Sequence, residues 1–253
     1  MCLIGLAIGE HPEFPFILAA NRDEFYDRPT EKATFWMENN DVVGGIDLEK
    51  GGSWLALSKS GDIAMLTNVR EKSAQETYTT SRGELVKSYF TNREKFYHLI
   101  SEKENFEGFN LIYGSINRLN YLSNRIEDTK TIHRGVYALS NAELNSDWPK
   151  VESMKKAMYD GLEVNNKEEL VVHLFNALRN DKQADDEYLP TTGVTKEIEK
   201  MLSPMFIKTE GYGTRSSTVI IVNKDGDCTF IERYYVPKIT ERRYSFKLNS
   251  YDI

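Results

Sequence analysis

The apolar positions of this chain switch between a period of two and a period of three to four, and the switches mark its elements. Residues 2–8 and 16–20 are short apolar runs separated by the turn-prone Gly9-Glu10-His11-Pro12-Glu13-Phe14-Pro15, which predicts two strands of one hairpin. Opposed residue numbers in an antiparallel pair sum to a constant, so a hairpin centred near Pro12 sets Cys2 opposite Asn21 or Arg22. Residues 54–59 and 62–69 predict a second hairpin across Ser60-Gly61. Between the hairpins, the glycine pairs in Gly44-Gly45-Ile46-Asp47 and Gly51-Gly52-Ser53-Trp54 mark tight turns or close backbone approach. Helical spacing then appears in 82–90, through Leu85, Val86, Tyr89 and Phe90, and in 93–101, through Phe96, Leu99 and Ile100.

Strands return at 110–115, 119–124 and 136–139. Residues 148–162 read as a helix with Asp147 as its cap, Pro149 in its first turn, and Val151, Met154 and Met158 on one face. Asn166 followed by Glu169 opens another helix, carrying Leu170, Val171, Leu174, Phe175 and Leu178. Thr195 caps a short helix to residue 202, and 216–223 with 228–236 form a closing hairpin across Lys224-Asp225-Gly226. Antiparallel strands at both ends enclosing helices predict a layered α+β architecture, and the lack of any linker-like stretch predicts one domain over 1–253.

Composition narrows the function classes. The net charge of −7 and pI near 5.3 argue against broad binding of nucleic acid or anionic membrane, both of which need a basic surface. No run of eighteen apolar residues is present, so no transmembrane segment is expected. The N-terminus lacks the basic n-region of a signal peptide. Two cysteines, Cys2 and Cys228, are too few for a disulfide framework and suit a reducing compartment, so a cytoplasmic location is expected. His11, His98, His133 and His173 show no ligand spacing, and no metal site is expected.

Chemistry concentrates at the N-terminus. Removal of Met1 would place a thiol and a free α-amine on Cys2, and an amine of pKa about 7.7–8.0 is a usable base at neutral pH. The alternative is a small hydrophobe opening an apolar strand. Asn21-Arg22-Asp23-Glu24 is expected beside Cys2, where a guanidinium favours the thiolate and a carboxylate orients the amine; the same run also fits a solvated strand end. Strand alternation sends Arg22 and Asp23 to opposite faces, so either the strand bends or only one of them reaches Cys2.

The chain as a whole resembles the NRDE family, the relatives of transport and Golgi organisation protein 2. The resemblance rests on Asn21-Arg22-Asp23-Glu24, Gly51-Gly52-Ser53-Trp54-Leu55, Leu66-Thr67-Asn68-Val69-Arg70, Ser81-Arg82-Gly83-Glu84-Leu85, Leu139-Ser140-Asn141, Pro190-Thr191-Thr192-Gly193-Val194 and Tyr212-Gly213-Thr214-Arg215-Ser216-Ser217. That family is in turn similar to the N-terminal nucleophile (Ntn) hydrolases, which implies a four-layer αββα sandwich of antiparallel sheets. The resemblance implies Cys2 as nucleophile and base, Arg22 and Asp23 as tuning and orienting groups, Asn141 in an oxyanion hole and Arg215 in the surrounding polar network. Asn68 is a second oxyanion candidate, and Asn21 is grouped with it at the substrate. In the acylases the Arg and Asp are separated, whereas here they are adjacent.

The implied activity is cleavage of a non-peptide C–N bond in a small amide substrate, with no cofactor required. The Golgi-organisation relatives imply instead a non-catalytic protein that binds or carries an amphipathic ligand such as haem or acyl-coenzyme A. Asn68 and Asn141 each end an apolar stretch, where Asn also serves turns, and Arg215 also fits a surface turn. Trp36, Trp54 and Trp148 are expected to pack, and Cys228 to be an inert buried thiol.

Overall fold

The structure, a computed structural model, describes residues 3–71, 78, 80–127 and 129–249. Six strands come first: β1 (Leu3–Ile8), β2 (Phe16–Phe25), β3 (Thr30–Phe35), β4 (Val42–Asp47), β5 (Leu55–Ser58) and β6 (Asp62–Asn68). Helices α1 (Gly83–Thr91) and α2 (Arg93–Ser101) lead to β7 (Phe109–Ser115), β8 (Arg118–Ser123), β9 (Lys130–Ile132) and β10 (Gly135–Leu139). Helices α3 (Pro149–Gly161), α4 (Lys167–Leu178) and α5 (Lys196–Met201) precede β11 (Tyr212–Val222), β12 (Asp227–Tyr234) and β13 (Thr240–Lys247).

The strands form two antiparallel sheets. One runs β10-β1-β2-β11-β12-β13, the other β3-β4-β5-β6-β7-β8-β9. Alternation along β2 explains how they stack. Phe16, Leu18 and Ala20 point into a core shared with Leu55, Leu57, Met65 and Ile112 of the other sheet. Ile17 and Ala19 point the opposite way, onto Val151 and Met154 of α3 and Leu174 and Phe175 of α4. The second sheet does the same on its far side, where Ala56, Ala64 and Leu66 pack on Leu85, Val86 and Phe96 of α1 and α2. The result is the four-layer α+β sandwich of order helix, sheet, sheet, helix.

The helix starts follow local chemistry. Asn166 accepts from the backbone N–H of Glu168 and Glu169, and Thr195 from that of Ile198. Helix α3 departs from expectation: Trp148 occupies the N-cap position without a side-chain bond, so Asp147 does not cap it, and Pro149 supplies the start. Four strands were not anticipated. β3 and β13 are edge strands with exposed Glu and Arg, so they lack an apolar signal. β9 has only three residues. β4 contains the Gly44-Gly45 pair, which lies inside a strand. A Cβ on Gly45 would stand 2.1 Å from a ring carbon of Trp54, so the glycine admits the indole.

Candidate functional site

The site is built where β1 begins. Leu3 pairs with Asn21 of β2, while Ile4 lies between Ala20 of β2 and Leu139 of β10. Arg22 and Asn141, each two residues beyond those partners, therefore flank the end from which β1 starts. Cys2 lies outside the described residues. Unlike the expected strand at 16–20, β2 runs on through Asn21-Arg22-Asp23-Glu24, so this run is paired backbone and not a solvated strand end.

Alternation separates its side chains. Arg22 faces the inter-sheet side, 4% exposed, with its guanidinium carbon 3.9 Å above the Trp54 ring. Its Nη1 donates to Thr30 Oγ1 at 2.8 Å, and Nη2 stands 4.0 Å from Asp47. Burial is the main cause that holds its pKa down to about 10, and nearby Arg215 pushes the same way, while Glu24, Asp47 and Glu232 oppose the fall. Arg22 thus carries a desolvated charge at neutral pH. Asp23, on the other face, accepts from Thr214 Oγ1 at 2.6 Å.

Asn21 is fully buried and committed to the fold. Its Nδ2 donates to the carbonyls of Leu178 (2.8 Å) and Met205 (2.6 Å), and Ser217 donates to its Oδ1. No amide proton is left for a substrate, so Asn21 locks the strand to α4 and does not serve as an oxyanion donor. The two oxyanion candidates differ sharply. Asn141 Nδ2 donates to the Asn68 carbonyl at 2.9 Å, and its Oδ1 accepts from Lys150 Nζ (3.1 Å), Ser140 Oγ (3.2 Å) and Arg70 Nη2 (3.5 Å). The Asn68 carboxamide, half-buried at the end of β6, makes no hydrogen bond with the described residues.

Arg215 sits at a bulge where β11 pairing shifts between Thr214 and Ser216. Its Nη1 donates to the carbonyls of Phe25 (2.9 Å) and Arg28, closing the turn after β2, and burial lowers its pKa. It is near enough to Arg22 to be felt there, but its bonds hold backbone.

Two hollows adjoin this point. A cleft of about 100 Å³ is lined by Arg22, Trp54 and Asn68 with Ser53, Ser81 and Gly83. A groove of about 640 Å³ lies beside Asn141 and carries Arg70, Arg125, Trp148, Tyr188 and Thr192. Arg70 pairs with the buried Glu199 at 2.6 Å, and Glu199 also accepts from the Thr192 backbone N–H (3.0 Å) and hydroxyl (2.5 Å). Three of the sequence stretches that carry the resemblance thereby meet at one network.

Sequence reasoning missed Glu199 and Glu232. Glu232 is 1% exposed between the sheets, takes bonds from Ala33 N–H and Thr218 Oγ1 (both 3.1 Å) and from the Tyr234 hydroxyl, and burial raises its pKa to about 7. The signal was present, since Glu232 continues the inward series Cys228, Phe230 along β12. Glu199 had none, because its short helix exposes its apolar residues, Ile198 and Met201, and buries the glutamate. Cys228 is buried in the inter-sheet core and burial raises its thiol pKa. Among the described residues no group of His, Cys, Asp and Glu could hold a metal ion, and no helix is long and apolar enough to cross a membrane.

The layer order and strand pairing define an Ntn-hydrolase fold. Penicillin V acylase from Agrobacterium tumefaciens superimposes with a TM-score of 0.53 at 12% identity, covering 98% of this chain and 86% of its own. The Caenorhabditis elegans ortholog of N-acylethanolamine-hydrolyzing acid amidase gives a TM-score of 0.50 at 12% identity, with 87% of this chain and 92% of its own covered. Within that fold, the chain belongs to the family described as Transport and Golgi organisation 2, whose profile matches residues 1–237. The human transport and Golgi organization protein 2 homolog is 33% identical, with 99% of this chain and 100% of that protein aligned. The Drosophila melanogaster transport and Golgi organization protein 2 is 28% identical over 92% of this chain and 91% of its own length.

Proposed function

We propose that the protein is a cysteine Ntn-type hydrolase that cleaves a non-peptide amide through Cys2 once Met1 is removed. The observation that carries this reading is the pair of neighbours at the start of β1. Arg22 on β2 and Asn141 just after β10 stand on either side of the end from which β1 starts. The Cys2 thiolate, favoured by the desolvated guanidinium of Arg22, adds to the substrate carbonyl carbon. The resulting oxyanion is met by amide donors, Asn68 and Asn141 being the two within the site. Collapse breaks the C–N bond, and the departing amine takes a proton from the α-ammonium of Cys2. Water then hydrolyses the thioester, with the α-amine as base, and releases the acid. Asp23 lies on the face of β2 opposite Arg22, bonded to Thr214, so of the two only Arg22 is given a role at the thiol in this proposal.

The structural neighbours named for acylase and amidase activities support the amide class, since their fold is shared. Cys2→Ala is expected to abolish turnover in a screen of small N-acyl amides while leaving the unfolding curve unchanged. Unchanged turnover would sink the reading.

The groove supports a second reading, binding of an amphipathic ligand without chemistry, because its volume lies in the ~300–1,000 Å³ range of ligand pockets. For haem or acyl-coenzyme A the fit is poor. Among the described lining residues Tyr188 is the sole side chain of a type that ligates haem iron, and Arg70 and Arg125 are already paired with Glu199 and Glu71. Saturable haem or acyl-coenzyme A binding by the Cys2→Ala protein, above that of an unrelated acidic protein, would favour this second reading.

A further inference from the structure

The charged groups around the Arg22 cleft are unevenly satisfied. Arg28 donates to Asp47 at 2.7 Å and stands 3.6 Å from Glu49. Arg82 donates to the Gly108 carbonyl at 3.1 Å and pairs with Glu107 at 2.9 Å. Arg22, more buried than either, makes one side-chain hydrogen bond with the described residues, to Thr30, although a guanidinium has five N–H donors. Its nearest carboxylate, Asp47, lies at 4.0 Å and is already bonded to Arg28. Buried polar groups are ordinarily paired, so donors left over at 4% exposure call for a partner.

The same cleft holds further donors. The Asn68 carboxamide and the Ser81 hydroxyl have no hydrogen-bond partner among the described residues, and both line the space together with Gly83, the first residue of α1. The N-terminus of α1 has no side-chain cap, and the start of a helix favours negative charge. The approach is tight because Gly52 permits it: a Cβ there would stand 2.5 Å from the Gly83 carbonyl carbon. Two acids also line the cleft. Asp47 is taken by Arg28, and Glu24 accepts from the Phe25 backbone N–H at 2.9 Å.

We infer that this cleft is an anion subsite that receives one carboxylate of the substrate, held by Arg22, Asn68 and Ser81. A volume of about 100 Å³ admits a carboxylate and a carbon or two but no acyl chain, so the bulk of the substrate extends toward the groove beside Asn141. The inference deepens the hydrolase reading and rests on it for the word substrate: the amide cleaved carries a carboxylate within a few bonds of its scissile carbonyl. It also gives Arg22 a second partner besides the thiolate.

The test uses the full chain as Cys2→Ala, so that binding is read without turnover. Acetate and glutarate are titrated at constant ionic strength against chloride, following the Arg22 Nε–H and Asn68 carboxamide resonances by NMR. Saturable shifts at both groups are expected, with affinity falling about ten-fold in Asn68→Ala and in Ser81→Ala, each on the Cys2→Ala background. No saturable shift, or affinities unmoved by both changes, overturns the subsite and leaves the thiolate as the anion Arg22 serves. The subsite and the hydrolase fail separately. Saturable binding in a protein that hydrolyses no amide removes the chemistry and keeps the subsite. Amide turnover without carboxylate binding removes the subsite and keeps the chemistry.

Discussion

Arg22, inside β2, and Arg70, just beyond β6, each lie over a tryptophan ring, yet their surroundings are opposite. Arg70 meets a buried carboxylate at 2.6 Å, and that carboxylate is fully bonded to Thr192 besides. Among the described residues Arg22 makes one side-chain hydrogen bond, and it keeps its charge with a lowered pKa. Asn141 and Asn68 repeat the contrast, the first with donor and acceptor both engaged, the second with a carboxamide that bonds to no described residue. A satisfied network resists rearrangement and serves as a frame. An unsatisfied one stores affinity for something that arrives later, which is how binding sites differ from supports.

The largest break should come in the frame. Glu199→Ala leaves Arg70 without its carboxylate and the Thr192 N–H without an acceptor, and is expected to cost about 3–5 kcal/mol in urea unfolding. Arg22→Leu, the matching change in the cleft, should alter stability by no more than about 1 kcal/mol while abolishing amide turnover. Equal losses of stability from both changes would erase the distinction.

Next in size is Glu232, whose carboxyl is raised to about 7 from 4.5 by burial. The folded protein holds this proton where the unfolded chain has released it, so the group's contribution is fully present below about pH 4.5 and is lost as pH rises to about 7. The loss approaches about 3 kcal/mol. Glu232→Gln should flatten that slope and make the variant relatively more stable at pH 8, as measured by denaturation at several pH values.

A smaller effect separates the two asparagines. Asn141→Ala removes one acceptor from the Lys150 ammonium, which is 3% exposed and keeps its bond to the Leu202 carbonyl at 3.2 Å, and should cost about 1–2 kcal/mol. Asn68→Ala should cost less than about 0.5 kcal/mol, because no described bond is lost. In a turnover assay the order reverses, with Asn68→Ala lowering kcat roughly 10²–10³-fold as an oxyanion donor is removed. A larger stability loss for Asn68 than for Asn141 would contradict the contrast.

Much of this arrangement is visible in the sequence, and the gaps have physical causes. The pairing of Leu3 with Asn21 follows from the turn around Pro12, because hairpin register is set by the turn. The faces of α3 and α4 follow from their period, as Met154, Met158, Leu174 and Phe175 enter one core. The strands β3 and β13 escaped because an edge strand is written in charge, as in Thr-Glu-Arg-Arg-Tyr-Ser-Phe-Lys, and not in hydrophobicity. Gly44-Gly45 misled because glycine marks close approach as readily as a turn, and here it makes room for Trp54. At the site, residue types pointed to Arg22, Asn68 and Asn141, but the occupied amide of Asn21 depends on Leu178 and Met205, some 160–180 residues away in sequence. Such a partnership leaves no local signal.

The central claim is that Cys2 acts as a free N-terminal residue, and the most direct measurement is the intact mass of untagged protein from cells with normal methionine aminopeptidase. A mass lacking Met1 is expected, with the amine and thiol exposed together. Retention of Met1 on nearly all molecules would contradict it, because the base required by the mechanism would then be an amide nitrogen.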